Sequence, residues 1–306
     1  MNAEMILPLL AAAVQTGTPI LYATLGEIVT ERSGILNLGV EGIMMVGALA
    51  AYVCALATGS AWLGFAAGAA GGALLAAIHG LVCIGFRGNQ VVSGLALTIL
   101  GTGLANFLGV AYIGQSIPGF QRAALPLLEG IPFLGPVFFR QDALVYLSYL
   151  APLAVWAALA RTTWGLNLRA VGEAPEAVEA AGLSVSRLRW SAVLIGGAFM
   201  GAGGAYLSLA YTHLWTTGLV AGRGWIAVAL VIFAAWHPHR AVVGAYLFGG
   251  VMAFQFRLQA LGTHLPSSLL LMLPYALTII VLVAAGLRLR SQAAPAALGV
   301  NHEPPD

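Results

Sequence analysis

The chain has 306 residues, 60% of them hydrophobic and 8% charged, with a formal net charge of +2. A soluble domain carries about 25% charged residues, so a chain this poor in charge cannot keep a globular surface solvated and is expected to cross a membrane repeatedly. All 13 basic residues are arginine; this excludes a phosphate-binding loop ending in G-K-[ST] and any lysine Schiff base, and the near-neutral balance gives no reason to expect a nucleic-acid partner.

A span needs about 20 apolar residues. In chain order, runs that meet or approach this length fall at 6–28, 42–58, 62–86, 91–113, 142–161, 189–210, 224–236, 241–261 and 268–287. The expected fold is therefore an all-α polytopic membrane protein with about nine (eight to ten) transmembrane helices. Glu4 stands before the first run without a basic leader, so that run is expected to be retained as a span. The run at 224–236 is short, and 91–113 is interrupted by Gly94, Gly101, Gly103 and Asn106; either is expected to be re-entrant or discontinuous. The 39 glycines suit helices that pack closely in lipid. Cys54 and Cys83 lie in apolar runs and read as small buried residues. The transmembrane domain covers 1–290. A Pro/Gly-rich loop at 114–141, carrying Phe120, Phe133, Phe138 and Phe139, is expected to form an external cap. The Pro/Ala-rich tail at 291–306 is expected to be disordered.

Polar residues within such a chain are expensive and point to cavities or partners. Glu27, Glu31, Arg32, Asn37 and Glu41 form the first dense group. Glu31 and Arg32 are expected to be solvated at the membrane surface. Asn37 and Glu41 either line a translocation pathway, with helices broken at Gly34, Gly39 and Gly42, or close an interfacial loop. His79 stands alone in an apolar run and is expected to be packed and neutral. Gln90, Ser93 and Asn106 are candidates for a pathway stripe, whereas Thr98 and Thr102 read as interhelical hydrogen bonders. Arg223 and Trp225 open a span after a Gly-rich link, where they would hold a sugar hydroxyl, stack a base, or anchor the interface. His237 and His239 have no carboxylate or cysteine partners that would make a metal site. Without a nucleophile–base pair or paired carboxylates, the sequence gives no reason to expect an enzyme or a bound cofactor. Segments 26–47 and 211–231 each run through a Gly-bearing polar link into an apolar helix, one link on each side of the membrane, which predicts an inverted-topology repeat.

The most polar run between the two apolar halves is 165–189. Pro175 suits a first helical position, Glu173 and Glu176 suit the positive end of a helix, and Gly182 suits its termination. A short amphipathic helix is expected, with Ala177, Val178 and Ala181 opposite Glu176 and Glu179. If Arg169, Arg187 and Arg189 face the cytoplasm, counting spans puts Arg32, Arg87, Arg161, Arg240, Arg288 and Arg290 on the same side. The N-terminus is then outside and the C-terminus inside.

Several runs together resemble one family, the permease subunits of bacterial ABC importers of the branched-chain amino acid/ribose superfamily. TERSGILNLGVEGIMMVGA (30–48) resembles its signature, NQVVSGLAL (89–97) its second motif, and RAVGEAPEAVEAAGL (169–183) its cytoplasmic segment. GRGWIAVALVIFAAWHP (222–238) and LPSSLLLMLPYALTIIVLV (265–283) resemble the nucleoside/simple-sugar branch, in particular the shorter of its two permeases. The resemblance implies the fold of vitamin-B12-type importers and location in the cytoplasmic (inner) membrane. It implies a second permease subunit as heterodimer partner, two ATPase subunits that bind the ATP, and an extracytoplasmic substrate-binding protein. It also implies that Gly172, Glu173, Pro175, Glu176, Ala177, Val178, Ala181 and Gly182 form the coupling contact with the ATPase, the glutamates presenting charge and Ala177, Val178 and Ala181 filling a groove. Ala174 departs from the family's usual Asn and removes a helix cap at that edge. Nucleosides are the expected cargo. Simple sugars or branched-chain amino acids are the alternative, and an ion-coupled secondary transporter relying on Glu27 and Glu41 is the reading from another class.

Overall fold

A computed structural model describes residues 3–262, 266–288 and 294–302. The chain folds into α1 (Ala3–Glu31), α2 (Val40–Thr58), α3 (Ala61–Gly80), α4 (Gln90–Gly109), α5 (Leu134–Phe138), α6 (Ala143–Arg161), α7 (Thr163–Glu173), α8 (Pro175–Ala180), α9 (Val185–Tyr206), α10 (Arg223–Ala234), α11 (Pro238–Ala260), α12 (Ser267–Leu271) and α13 (Leu273–Arg288). Two short strands, β1 (Arg122–Ala124) and β2 (Arg140–Asp142), pair antiparallel in the 114–141 loop. Among the described residues seven helices are long and apolar enough to cross a membrane. The runs expected at 224–236 and 268–287 form shorter apolar helices, Arg223–Ala234 and Leu269–Val281.

Local chemistry sets the helix starts. Side chains of Ser60, Asn89, Asp142, Thr162 and Ser184 accept hydrogen bonds from first-turn N–H groups of α3, α4, α6, α7 and α9, which satisfies donors that would otherwise be orphaned. Proline opens α8 and α11 at the position where its missing N–H costs nothing. α3 and α9 each run on into a wider π-helical turn, at Leu81–Gly85 and Leu207–Tyr211.

The centre of the molecule is a crossing of α2, α3 and α9 made of glycine. A Cβ on Gly47 would lie 2.5 Å from the Cα of Gly201; one on Gly72 would lie 2.5 Å from the same atom; one on Gly201 would strike the Gly68 carbonyl. Backbones approach this closely only where side chains are absent, and in lipid that close contact is the main source of helix–helix attraction. Large side chains are buried elsewhere in the helix packing: Tyr22, Tyr52, Tyr206, Trp215 and Phe248 are all fully buried. The phenols of Tyr22 and Tyr52 donate to the carbonyls of Leu144 (2.8 Å) and Gln115 (2.6 Å) and so meet the demand that buried hydroxyls be paired.

The helices pair in two interchanged sets. α9 packs along α3 as α1 packs along α11; α2 packs on α3 and α4 as α10 packs on α11 and α13; α2 meets α9 as α10 meets α1. Each set consists of a long helix, a bend, a helix that starts inside the protein, and two helices covering it. The order of partners is the same in the two sets.

Of the tail expected at 291–306, residues 291–293 and 303–306 lie outside the described residues, and residues 294–302 make defined contacts. Pro295 and Ala297 are buried, and the segment hydrogen-bonds to the bend after α1, to α7 and α8, and to the start of α4. Composition alone predicted disorder, but small residues such as Ala296, Ala297 and Gly299 are what allow this segment to lie flat on other backbone.

Candidate functional site

Two helix starts meet inside the protein. Gly101, midway along the fourth span (Gln90–Tyr112), packs 2.6 Å, at the position of a Cβ, from the Gly42 carbonyl, which places the first turn of α2 at half the height of that span. The Glu41 carboxylate there accepts the N–H groups of Gly222 and Gly224, one on each oxygen and both at 2.7 Å. These donors belong to the start of α10, so one charged group satisfies the exposed end of a second helix. Glu41 is thus a junction between two internal helix starts. The arrangement is the one expected of discontinuous helices in transporters.

Arg223 and Trp225 do not act as a pair. The Arg223 guanidinium is buried, donates to the Val220 carbonyl at 2.9 Å and lies 5.7 Å over the Tyr211 ring. Trp225 is 38% exposed; residues two apart on a helix point away from each other.

The bend at 32–39 reaches deep into the molecule. The Asn37 amide lies 3.9 Å from the Sδ of Met200, in the middle of the Val185–Tyr211 span. Its N–H donates to Glu27 (3.1 Å) and its side-chain oxygen accepts from Gly39 (2.8 Å). Gln90 accepts the Leu36 N–H at 2.8 Å, and Thr98 donates to the Leu38 carbonyl at 2.8 Å. His79 lies buried between the Leu36 carbonyl (3.0 Å) and Ser93 (2.9 Å). Because a carbonyl only accepts, Nε2 carries the proton and donates to it, and Nδ1 accepts a hydrogen bond from the serine hydroxyl, so a neutral ring satisfies both contacts. Asn106 accepts the Gly218 N–H at 3.2 Å, near the other bend. Asn37, Gln90, Ser93 and Asn106 are thus each bonded to one of the two bends or to a side chain packed on it.

Glu31 and Arg32 correct the expectation of a solvated pair. Glu31 is 2% exposed and accepts the indole N–H of Trp236 at 2.6 Å; Arg32 donates to the Trp236 carbonyl at 3.2 Å. Burial lowers the affinity of Arg32 for its proton, Arg169 acts the same way, and Glu173 opposes both. The link after α10 folds over the end of α1, and a sequence read span by span does not show that covering.

Segment 165–189 forms α7, a tight bend, α8 and the start of α9. Gly182 takes φ +80° just beyond α8, as expected of a helix terminator. The eight residues expected to form one contact surface divide in two. Glu176, Ala177 and Ala181 are exposed. Val178 is buried with Val171 and Val185 in a small separate core, and Gly172 and Pro175 are also buried. Val178 thus anchors the helix to its own protein. Glu173 and Glu179 are engaged by the tail, the first accepting from the Ala296 N–H (3.3 Å) and the second pairing with His302 (2.9 Å).

A cavity of about 360 Å³ at the 114–141 end was not legible in the sequence. Gln15, Arg122, Asp142, Tyr211 and His213 line it. Gln15 holds two of these walls together, accepting from Arg122 at 3.0 Å and donating to Gln141 at 2.9 Å. The lining residues come from widely separated stretches, and no spacing rule joins them.

The sequence profile of the branched-chain amino acid transport system / permease component family matches residues 9–282. A putative glucose ABC transporter permease protein, TsgC13 of Haloferax volcanii, is 51% identical over 84% of this chain and 79% of its own length. The nucleoside ABC transporter permease NupC of Lactococcus lactis is 35% identical over 93% of both chains, and the guanosine ABC transporter permease NupQ of Bacillus subtilis is 34% identical over 89% of both. No solved structure matches the chain.

Proposed function

The chain belongs to the branched-chain amino acid transport system permease component family, and on that premise we propose that it is the membrane-spanning half of an ATP-driven importer whose ATP is bound by separate subunits. The observation that carries this reading is α8: a short helix anchored on its inner side by Val178 and exposed on its outer side at Glu176, Ala177 and Ala181. A rigidly held helix with a free outer face can be pushed as a body. A partner that binds the two arrangements of the chain unequally then shifts the equilibrium between them. This face is cytoplasmic in the proposal, as are the chain's last residues, and the 114–141 end receives solute from an extracytoplasmic binding protein. A second, larger permease completes the pathway.

The proposed cargo is a nucleoside, supported by two relatives named for nucleoside or guanosine transport and aligned over nearly their full lengths. A second reading, a glucose-type sugar, is favoured by the 51% identity to the relative named as a putative glucose permease. Uptake of labelled guanosine into cells lacking and regaining the gene with its partners, with glucose, ribose and leucine as competitors, decides between them. Guanosine uptake blocked by unlabelled guanosine alone supports the first, and uptake of glucose without guanosine the second. Loss of uptake on collapse of the ion gradient with ATP maintained would overturn both.

Ala177→Arg tests the coupling contact. The site is exposed, so the chain should insert at wild-type abundance, while uptake falls by about 5- to 150-fold, the range typical of a lost coupling free energy. Wild-type uptake with normal ATPase co-purification would remove α8 from the contact.

A further inference from the structure

Residues 294–302 tie together three parts of the chain that are far apart in sequence. The Ala297 N–H donates to the Gly172 carbonyl at 2.8 Å, and the Gly299 N–H to the Gly34 carbonyl at 3.0 Å. The first acceptor is in α7 and the second in the bend between α1 and α2. Both acceptors are glycines because the backbones touch: a Cβ on Gly172 would lie 3.3 Å from the Pro295 ring and would strike the Arg32 carbonyl, and one on Gly34 would lie 3.0 Å from the Ala297 carbonyl. Gly34 also sits at φ +85°, where other residues are strained.

Asn301 makes the third attachment. Its amide donates to the Arg87 and Gly88 carbonyls (2.6 and 3.1 Å), and its oxygen accepts from Gln90 at 3.1 Å. The same Gln90 side chain accepts the Leu36 N–H. A continuous set of hydrogen bonds therefore runs from Glu173 and Glu179, through the tail, to the first turn of α4 and the bend that leads into Glu41.

We infer that residues 294–302 are a coupling strap, with Asn301 and His302 as positioning residues: the strap moves with α8 and carries its displacement to the Gly34–Leu36 bend and the start of α4. The inference rests on the reading of α8 as the ATPase contact. It accounts for two of the three glutamates of 165–189 being bound by the tail.

The test uses the complete transporter with its ATPase in vesicles, with labelled guanosine and labelled glucose as probes and ATP hydrolysis measured in parallel. Asn301→Ala, and a chain lacking residues 294–306, should keep the ATPase bound and hydrolysing while uptake falls about tenfold, within the usual range for coupling between sites. ATP consumed per solute moved then rises by the same factor, which a loss of folded protein would not produce. Asn301→Gln, which keeps both amide functions, should recover part of the uptake. A Gln90→Cys/Asn301→Cys pair, in a chain with Cys54 and Cys83 replaced by Ser, should be impaired like Asn301→Ala when reduced and should regain uptake when oxidised, because the disulfide replaces the lost amide tie. Two results overturn the strap: an unchanged ATP-to-solute ratio in Asn301→Ala, or loss of uptake on oxidation of the cysteine pair, which would mean that the tail must leave. If the shortened chain does not accumulate, Asn301→Ala decides. Failure of the underlying reading shows in the unaltered complex, as an ATPase that does not co-purify or hydrolysis that neither probe stimulates.

Discussion

Glu41→Ala should abolish uptake while leaving most of the helical protein in the membrane. The substitution removes the partner of two buried N–H groups at the start of α10, those of Gly222 and Gly224. Each stranded buried donor costs about 1–3 kcal/mol. The pair therefore costs about 2–6 kcal/mol, and at about 1.4 kcal/mol per factor of ten the closed junction becomes about 30-fold to 20,000-fold less favoured. Glu41→Gln keeps one oxygen acceptor and should fall between the two. Uptake normalised to membrane abundance, with the thermal midpoint of the purified protein, measures both effects. A Glu41→Ala chain that transports and melts like wild type would show that the two helix starts do not depend on each other.

Gly201→Leu acts on the fold itself. Its side chain would enter the α2–α3–α9 crossing, where the neighbouring atoms are backbone of Gly68 and Gly72. Overpacking a core costs typically about 1–3 kcal/mol and more when backbone has to move, so the protein should be lost from the monodisperse peak after detergent extraction. Gly103→Leu is the control: nothing lies within 4 Å of a Cβ there, and its behaviour should match wild type. Equal peaks for the two variants would mean that the crossing is looser than its glycines indicate.

The elements that could be read from sequence are those set by local chemistry. Pro175 and Gly182 mark the ends of α8 because a missing N–H and a left-handed φ are properties of single residues. The apolar runs mark the helices because length and hydropathy are additive along a chain. Glu31 was misread because its surroundings come from Trp236, 205 positions away. Val178 lies on the expected helix, but periodicity cannot say whether the apolar face meets a partner or its own protein, and Val171 and Val185 settle that. The contacts of 294–302 lie beyond what composition can show, because composition describes what a segment can bury and says nothing of carbonyls on Gly34 and Gly172. The cavity beside Asp142 depends on four stretches meeting at one end, which is a property of topology.

A passage that opens beside α2 and α10 would be hostile to cations. Each helix start carries about half a positive unit charge, so the Glu41 carboxylate does no more than balance the two, and the buried guanidinium of Arg223 leaves an excess of about one unit. A neutral solute crosses such a region with little electrostatic work, whereas a hydrated sodium ion or a proton meets a barrier of the kind that positive helix ends raise in water and solute channels. The protein can then cycle beside an energised membrane without discharging it.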